Sequence, residues 1–122
     1  MQIQFKGTNY QLTTDMTDLA TRKIQALQKY VGKVGAEPLA YADLGKHTEA
    51  HNHGDIWYAD CSIVADGRRF YAKAQAETLR SAIDKMVGEL AKELRSAKKK
   101  REVMVRKGGG RVKAFFRDFR NA

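Results

Sequence analysis

The chain of 122 residues contains one cysteine, Cys61, and one proline, Pro38. A single thiol cannot form an intramolecular disulfide, which fits a reducing compartment. No apolar run reaches the roughly 18 residues of a membrane span, and the first residues carry neither the basic nor the apolar region of a secretion signal. The length fits one domain of ~100 to 150 residues and excludes a two-domain enzyme. We therefore expect a single-domain cytoplasmic protein with no membrane partner.

Acidic residues are scarce relative to basic ones. The chain has 23 Lys and Arg against 14 Asp and Glu, which gives a net charge of +9. Residues 1–97 contain 13 cations and 12 acids, a net of +1, whereas residues 98–122 contain 10 and 2, a net of +8. A surplus of this size favours a polyanionic partner such as nucleic acid, and nearly all of it lies in the C-terminal segment.

Hydrophobic periodicity predicts an α+β fold with the order β-α-β-β-β-α. Apolar residues alternate in short segments, as in half-buried strands, and recur at three- and four-residue steps in two longer ones, as in amphipathic helices. The predicted strands are residues 2–6, a segment from near Glu37 to Leu44, residues 56–65 and residues 68–76, and the predicted helices are residues 14–32 and 77–101. We expect a four-stranded sheet with both helices packed on one face.

Shorter signals mark the ends of these elements. Thr13 or Thr14 can cap the first helix through its hydroxyl group. Asp66-Gly67 predicts a tight hairpin that pairs the third and fourth strands antiparallel, because a primed turn needs positive φ values. Residues 45–55 are polar and have the composition of a loop.

Residues that could support catalysis or metal binding are few. Cys61 shares a strand face with apolar neighbours, which predicts a buried thiol with a raised pKa rather than a nucleophile. His47, His51 and His53 could ligate zinc, but a glycine-containing loop without a cysteine pair makes a loose site, and solvated histidines are the favoured interpretation. We expect no enzyme activity, no cofactor and no small-molecule substrate, with a metal protein or enzyme that uses these four residues as the alternative.

Basic side chains are predicted to line one side of each helix. On the second helix three lysines repeat every seven residues, opposite the apolar stripe. The helix cations that we nominate for RNA binding are Arg22, Lys23, Lys29, Lys33, Arg80, Lys85, Lys92 and Arg95. The alternative is an ordinary solvated face, since Glu89 and Glu93 intervene in the sequence.

Cations alternate with phenylalanines in the C-terminal segment. The cations can bind phosphates of a nucleic acid while the aromatic rings stack on its exposed bases. Because Gly108–Gly110 cannot hold a helix, we predict a domain of residues 1–101 and a flexible tail of residues 102–122. The candidate RNA contacts from residue 98 onward are Lys98, Lys99, Lys100, Arg101, Arg106, Lys107, Arg111, Lys113, Phe115, Phe116, Arg117, Phe119 and Arg120. The alternative is that the three phenylalanines dock on this protein or on a protein partner.

Two segments resemble the ribosome hibernation promoting factors and ribosome-associated translation inhibitors. Residues 7–30, GTNYQLTTDMTDLATRKIQALQKY, are similar to the family's GxN-like turn, capped helix start and K/R-xx-x-L-x-x-Y/W pattern. Residues 77–94, ETLRSAIDKMVGELAKEL, resemble its E-x-x-x-x-A-I-D/N-x-h-h-x-x-L-x-x-Q-L pattern. The resemblance covers about residues 1–100, in register with the predicted element order, and the chain looks like a short form that lacks the separate C-terminal dimerisation domain of long relatives.

The resemblance implies a non-catalytic inhibitor that binds rRNA of the small ribosomal subunit near the decoding region, beside neighbouring ribosomal proteins. Bound there, it occludes the mRNA and tRNA sites during stress or stationary phase, which is ribosome hibernation. The basic family positions that this sequence matches are Lys23, Lys29, Lys92 and Lys98. Ala26 and Glu89 stand where relatives often have Lys, while Arg22, Arg80 and Lys85 add charge elsewhere.

A general module for structured or double-stranded RNA is the alternative within RNA binding. Such modules have a related α-β-β-β-α layout and read duplex shape through phosphates and 2′-hydroxyl groups. Comparable binding to any RNA duplex would favour this alternative.

The tail generates a first prediction. If residues 102–122 run along the mRNA channel or neighbouring rRNA, their deletion lowers ribosome affinity and makes it less sensitive to salt, because fewer counterions are released on binding. Cosedimentation of the full and truncated chains with ribosomes across a salt series measures both effects. Equal affinity and equal salt dependence would contradict the proposed role.

Overall fold

A computed structural model describes residues 1–31, 37–47 and 56–106. The elements, in order, are β1 (Gln2–Thr8), α1 (Thr14–Gln25), a 3-10 helix (Ala26–Tyr30), β2 (Leu39–His47), β3 (Ile56–Ala65), β4 (Arg68–Ala76) and α2 (Leu79–Arg106). This order confirms the predicted α+β fold. The predictions for Lys33, His51, His53, Gly108–Gly110 and the rest of residues 107–122 lie outside the described residues.

The four strands form one sheet with the spatial order β1-β2-β3-β4. β1 pairs with β2 in parallel, while β2 with β3 and β3 with β4 pair antiparallel. A parallel pair of consecutive strands needs a crossover segment, and α1 with the 3-10 helix lies within that connection. Neither helix in the described part of the chain contains a stretch long and apolar enough to cross a lipid bilayer.

The core combines small side chains on the sheet with large ones on the helices. The strand residues that are almost fully buried include Ala40, Ala42, Leu44, Ala59, Cys61, Ile63 and Ala72. The helix residues that cover them include Leu19, Ile24, Leu27, Ile83, Met86, Leu90 and Leu94. Four alanines on the sheet leave room for bulky helix side chains, so the helices can pack close to the strands.

The start of α1 is as predicted, but its end is not. The backbone N–H of Met16 donates to Oγ1 of Thr13 at 3.4 Å, which identifies Thr13 as the cap. The α-helix ends at Gln25, and the next five residues form the tighter 3-10 helix. The prediction of one α-helix over residues 14–32 is therefore wrong from Ala26 to Val31, because apolar residues spaced by three suit both helix types.

α2 is longer than predicted. It begins at Leu79 and ends at Arg106 rather than near residue 101. Thr78 caps its start, because Oγ1 of Thr78 accepts a hydrogen bond from the N–H of Ser81 at 3.1 Å. Residues 102–106, predicted as the first part of the tail, continue the helix because Glu, Met and Arg favour helical backbone. At 1.5 Å per residue the helix is about 42 Å long, against about 33 Å for a ten-residue strand.

Two strand predictions also have clear outcomes. The hairpin is confirmed, since Asp66 and Gly67 have φ values of 53° and 75°, and β3 and β4 pair antiparallel across it. β2 continues to His47, so residues 45–47, predicted as loop, belong to the sheet. Gly45 fits there because β1 lies very close: a Cβ atom on Gly45 would lie 2.4 Å from the carbonyl oxygen of Thr8.

This close approach predicts the effect of a single methyl group. Gly45→Ala forces β1 and β2 apart and should lower the free energy of unfolding by about 1 to 3 kcal/mol, as overpacked sites do. The matched control is Gly88→Ala, where the added carbon meets no atom within 4 Å and no loss is expected. Denaturant unfolding of the two variants tests the difference, and equal stabilities would show that β1 moves without cost.

Candidate nucleic-acid interface

The interface that we nominate begins with how α1 and α2 pack. Nζ of Lys23 lies 2.7 Å from Oδ1 of Asp84, which joins the last turn of α1 to the first half of α2. Further along, Arg101 of α2 reaches Tyr30 at the end of the 3-10 helix. Contacts that advance together along both elements mean that the two helices run side by side in the same direction. Both C-terminal ends therefore lie at the same end of the molecule.

Cations of α2 cap the carbonyl groups at that shared end. Nη2 of Arg101 donates to the carbonyl oxygen of Tyr30 at 2.9 Å, and Nζ of Lys98 donates to that of Lys29 at 3.4 Å. The last carbonyl groups of a helix lack partners within it and carry partial negative charge, so cations are favourable there. Lys98 and Arg101, nominated from sequence as RNA contacts, thus also hold the two helices together.

Tyr30 lies at the centre of this basic cluster, and sequence reasoning did not nominate it. Nζ of Lys29 lies 5.2 Å from the centre of its ring, and Cζ of Arg95 lies 5.9 Å from the same point. Cations gain from the negative face of an aromatic ring at such distances. The tyrosine of the K/R-xx-x-L-x-x-Y pattern was the available signal, but one of its partners, Arg95, lies 65 residues later in the chain.

The remaining helix cations lie on the outer side of α2. At about 100° per residue, the nominated side chains in the middle of α2 fall within an arc of about 80° opposite the buried stripe. They are Lys85, Lys92, Arg95 and Lys99, and all four are exposed. We call these four residues the basic ridge. Glu89 lies about 40° beyond the edge of this arc and Glu93 about 80° beyond it. Glu89 approaches Lys92 to 3.5 Å.

The other nominated helix residues have varied settings. Arg22, Lys29, Arg80 and Lys100 are exposed, whereas Lys23, Lys98 and Arg101 are half-buried. Arg106 ends α2, and Lys33 with all nominated residues from Lys107 onward lies outside the described part of the chain. The described cations of α2 therefore point in several directions, and they are most closely spaced near its C-terminal end, from Arg95 to Arg101.

The open face of the sheet has a different character. One row across the four strands places Lys6, Asp43, Asp60 and Lys73 side by side, in that order. Thr8 and Tyr58 donate to the two carboxylate oxygens of Asp43 at 2.9 and 3.1 Å. Burial raises the pKa of Asp60, and the neighbouring Asp43 adds to that shift while Lys73 opposes it. Positive and negative charge balance in this row, so it offers no strong attraction to phosphates.

Two of the four residues nominated for the enzymatic alternative, Cys61 and His47, lie in the described part of the chain. Cys61 is fully buried, and this burial raises the pKa of its thiol to about 12, which confirms the prediction for that residue. Nε2 of His47 lies 3.1 Å from Nε2 of Gln75, and its ring lies against Tyr58 with 5.0 Å between ring centres. Within the described residues, no three metal-ligating side chains come together.

Comparison with known proteins agrees with this description. Residues 3–102 match the family described as Sigma 54 modulation protein / S30EA ribosomal protein, and the chain belongs to that family. The family resemblance inferred from the sequence is therefore confirmed.

The individual relatives share about a quarter of their residues with this chain. The ribosome hibernation promoting factor of Escherichia coli (strain K12) is 24% identical over 100 residues, which cover 82% of this chain and 96% of that protein. The factor of the same name from Klebsiella oxytoca is 25% identical over the same shares.

Two solved structures share the fold. The N-terminal domain of Thermus thermophilus Protein Y has a TM-score of 0.66 and 22% identity, covering 79% of this chain and 98% of that one. A ribosomal subunit interface protein from Coxiella burnetii has a TM-score of 0.63 and 16% identity, covering 80% and 98%. At these identities the likeness concerns the fold alone.

The capping contacts between the helices generate a stability prediction. Arg101→Ala removes the donor to the carbonyl of Tyr30 and should lower the free energy of unfolding by about 1 kcal/mol. The control is Lys100→Ala, which removes the same charge from an exposed neighbouring residue. It should change the free energy of unfolding by less than about 0.5 kcal/mol. Chemical denaturation measures both variants. If they lose the same stability, the contact with Tyr30 contributes nothing.

Proposed function

We propose that this chain is a ribosome-associated translation inhibitor that holds ribosomes in the inactive state called hibernation. It binds rRNA of the small subunit near the decoding region, beside neighbouring ribosomal proteins, and blocks the mRNA and tRNA sites under stress or in stationary phase. Membership of the S30EA family supports this proposal, as do the relatives named ribosome hibernation promoting factor. The observation that carries it is the basic ridge on a helical layer of the family fold.

The proposed mechanism is occlusion, which needs positioning and affinity but no chemical step. Exposed lysine and arginine side chains contact phosphate oxygens, and each contact releases counterions from the RNA. The ridge residues stand on a long helix packed against the sheet, so their spacing is fixed before binding. The proposed inhibitor has no catalytic residue and no small-molecule substrate, and it acts in the cytoplasm, where ribosomes are.

The tail extends this proposal. Residues 107–122 contain Phe115, Phe116 and Phe119 among five cations. In the proposed complex they run along the mRNA channel or against neighbouring rRNA, with rings stacking on bases and cations contacting phosphates. The domain then determines where the protein binds on the ribosome, and the tail contributes much of the salt-sensitive affinity.

A charge-neutralised pair of variants tests the ridge. Lys85→Gln with Lys92→Gln should weaken cosedimentation with small ribosomal subunits about tenfold or more and reduce the salt slope by about 2, because two phosphate contacts are lost. Lys6→Gln with Lys73→Gln removes the same charge from the open sheet face and is the matched control. Inhibition of translation in a cell-free system should follow the same order.

The same samples distinguish the alternatives. Equal losses in both double variants would mean that net charge, rather than the ridge, drives binding. An RNA duplex of arbitrary sequence added as competitor should leave binding to the subunit largely intact. Full competition would instead favour a general module for structured RNA. No binding to small subunits by the unaltered chain would overturn the proposed function.

A further inference from the structure

Gly88 lies in the middle of α2, where the free protein gains nothing from a glycine. Glycine is the residue least favourable to a helix interior apart from proline, because it leaves the backbone most freedom when unfolded. Among the described residues, Gly67 is the glycine with a positive φ, so Gly88 has ordinary backbone geometry. A Cβ atom built on it would meet no atom within 4 Å.

The contrast with the sheet glycines sharpens this point. Cβ atoms on Gly7 and Gly45 would collide with backbone carbonyl oxygens at 2.5 and 2.4 Å, so both positions need glycine for packing. At Gly88 neither packing nor backbone conformation explains the residue. The fold therefore carries an unfavourable helix residue whose missing side chain opens space only toward the outside.

The neighbours of Gly88 indicate what could use this space. Lys85 lies three residues before it and Lys92 four residues after it, so both side chains flank it on the helix surface. Asp84 also lies one turn away, but its carboxylate pairs with Lys23 of α1 at 2.7 Å. Gly88, Lys85 and Lys92 thus form a shallow depression with cations on both sides, which we call the Gly88 notch.

We propose that the Gly88 notch is the point of closest contact between the basic ridge and the phosphodiester backbone of structured RNA. Without a side chain at Gly88, a phosphate and its ribose can lie directly against the helix backbone. The ammonium groups of Lys85 and Lys92 then reach the phosphate oxygens from either side. A protein partner would instead be expected to bury apolar surface, and the flanking residues are charged. This inference rests on the proposed function and adds the position of close contact.

A side chain added at position 88 should raise the stability of the protein and weaken its binding to RNA. In the full chain, Gly88→Ala should raise the melting temperature by about 4 °C, since alanine favours the helix. Gly88→Gln adds a long uncharged side chain and should weaken binding to purified small ribosomal subunits about tenfold, with Gly88→Ala intermediate. Val64→Gln, which places the same side chain at an exposed position on the open face of the sheet, should bind as the unaltered chain does.

Each outcome decides a separate question. A higher melting temperature with weaker binding in the Gly88 variants, and undiminished binding by Val64→Gln, support the notch. Undiminished binding by Gly88→Gln overturns the notch but leaves the proposed function standing, because the ridge lysines remain. Equal losses of binding in Gly88→Gln and Val64→Gln, or a lower melting temperature for Gly88→Ala, also overturn it. Failure of the unaltered chain to bind small subunits removes the proposed function and the notch with it.

Discussion

The parallel arrangement of α1 and α2 is the constraint on which the basic surface depends. If the helices ran in opposite directions, the cations at the end of α2 would meet the first turn of α1, whose unpaired N–H groups favour negative charge. Instead, Arg101 and Lys98 meet the carbonyl groups at the end of the 3-10 helix. The order of elements explains this direction, because α1 lies in the crossover between the parallel strands β1 and β2.

The same arrangement gives the cations two kinds of role. Arg101 and Lys98 donate hydrogen bonds to backbone carbonyl groups of the protein itself, and Lys23 forms an ion pair with Asp84. Ridge residues such as Lys85 and Lys99 point away from the core and contact no acid among the described residues. A net charge taken from the sequence counts all of these residues equally. The structure separates cations that assemble the surface from those that a polyanion can reach.

Sequence patterns predicted the elements well and the contacts between them poorly. The hairpin at Asp66-Gly67 and the cap at Thr13 depend on neighbours in the chain, so local rules were sufficient for both. The parallel pairing of β1 with β2 and the contact of Arg101 with Tyr30 depend on residues 37 and 71 positions apart, as Gln2 to Leu39 and Tyr30 to Arg101 show. The 3-10 ending of the first helix was missed because the apolar spacing of Leu27 suits either helix type.

The common direction of the helices also gives the molecule a permanent electric dipole. Acidic residues such as Asp15, Asp18 and Asp84 lie toward the helix starts, while the run from Lys98 to Arg101 lies at the other end. Burial raises the pKa of Asp66 in the β3–β4 hairpin, and Arg101 opposes that shift, which places the hairpin and its arginines at the positive end as well. In the field of a polyanion such a molecule turns while it diffuses. It therefore arrives with its positive end leading, before any specific contact has formed.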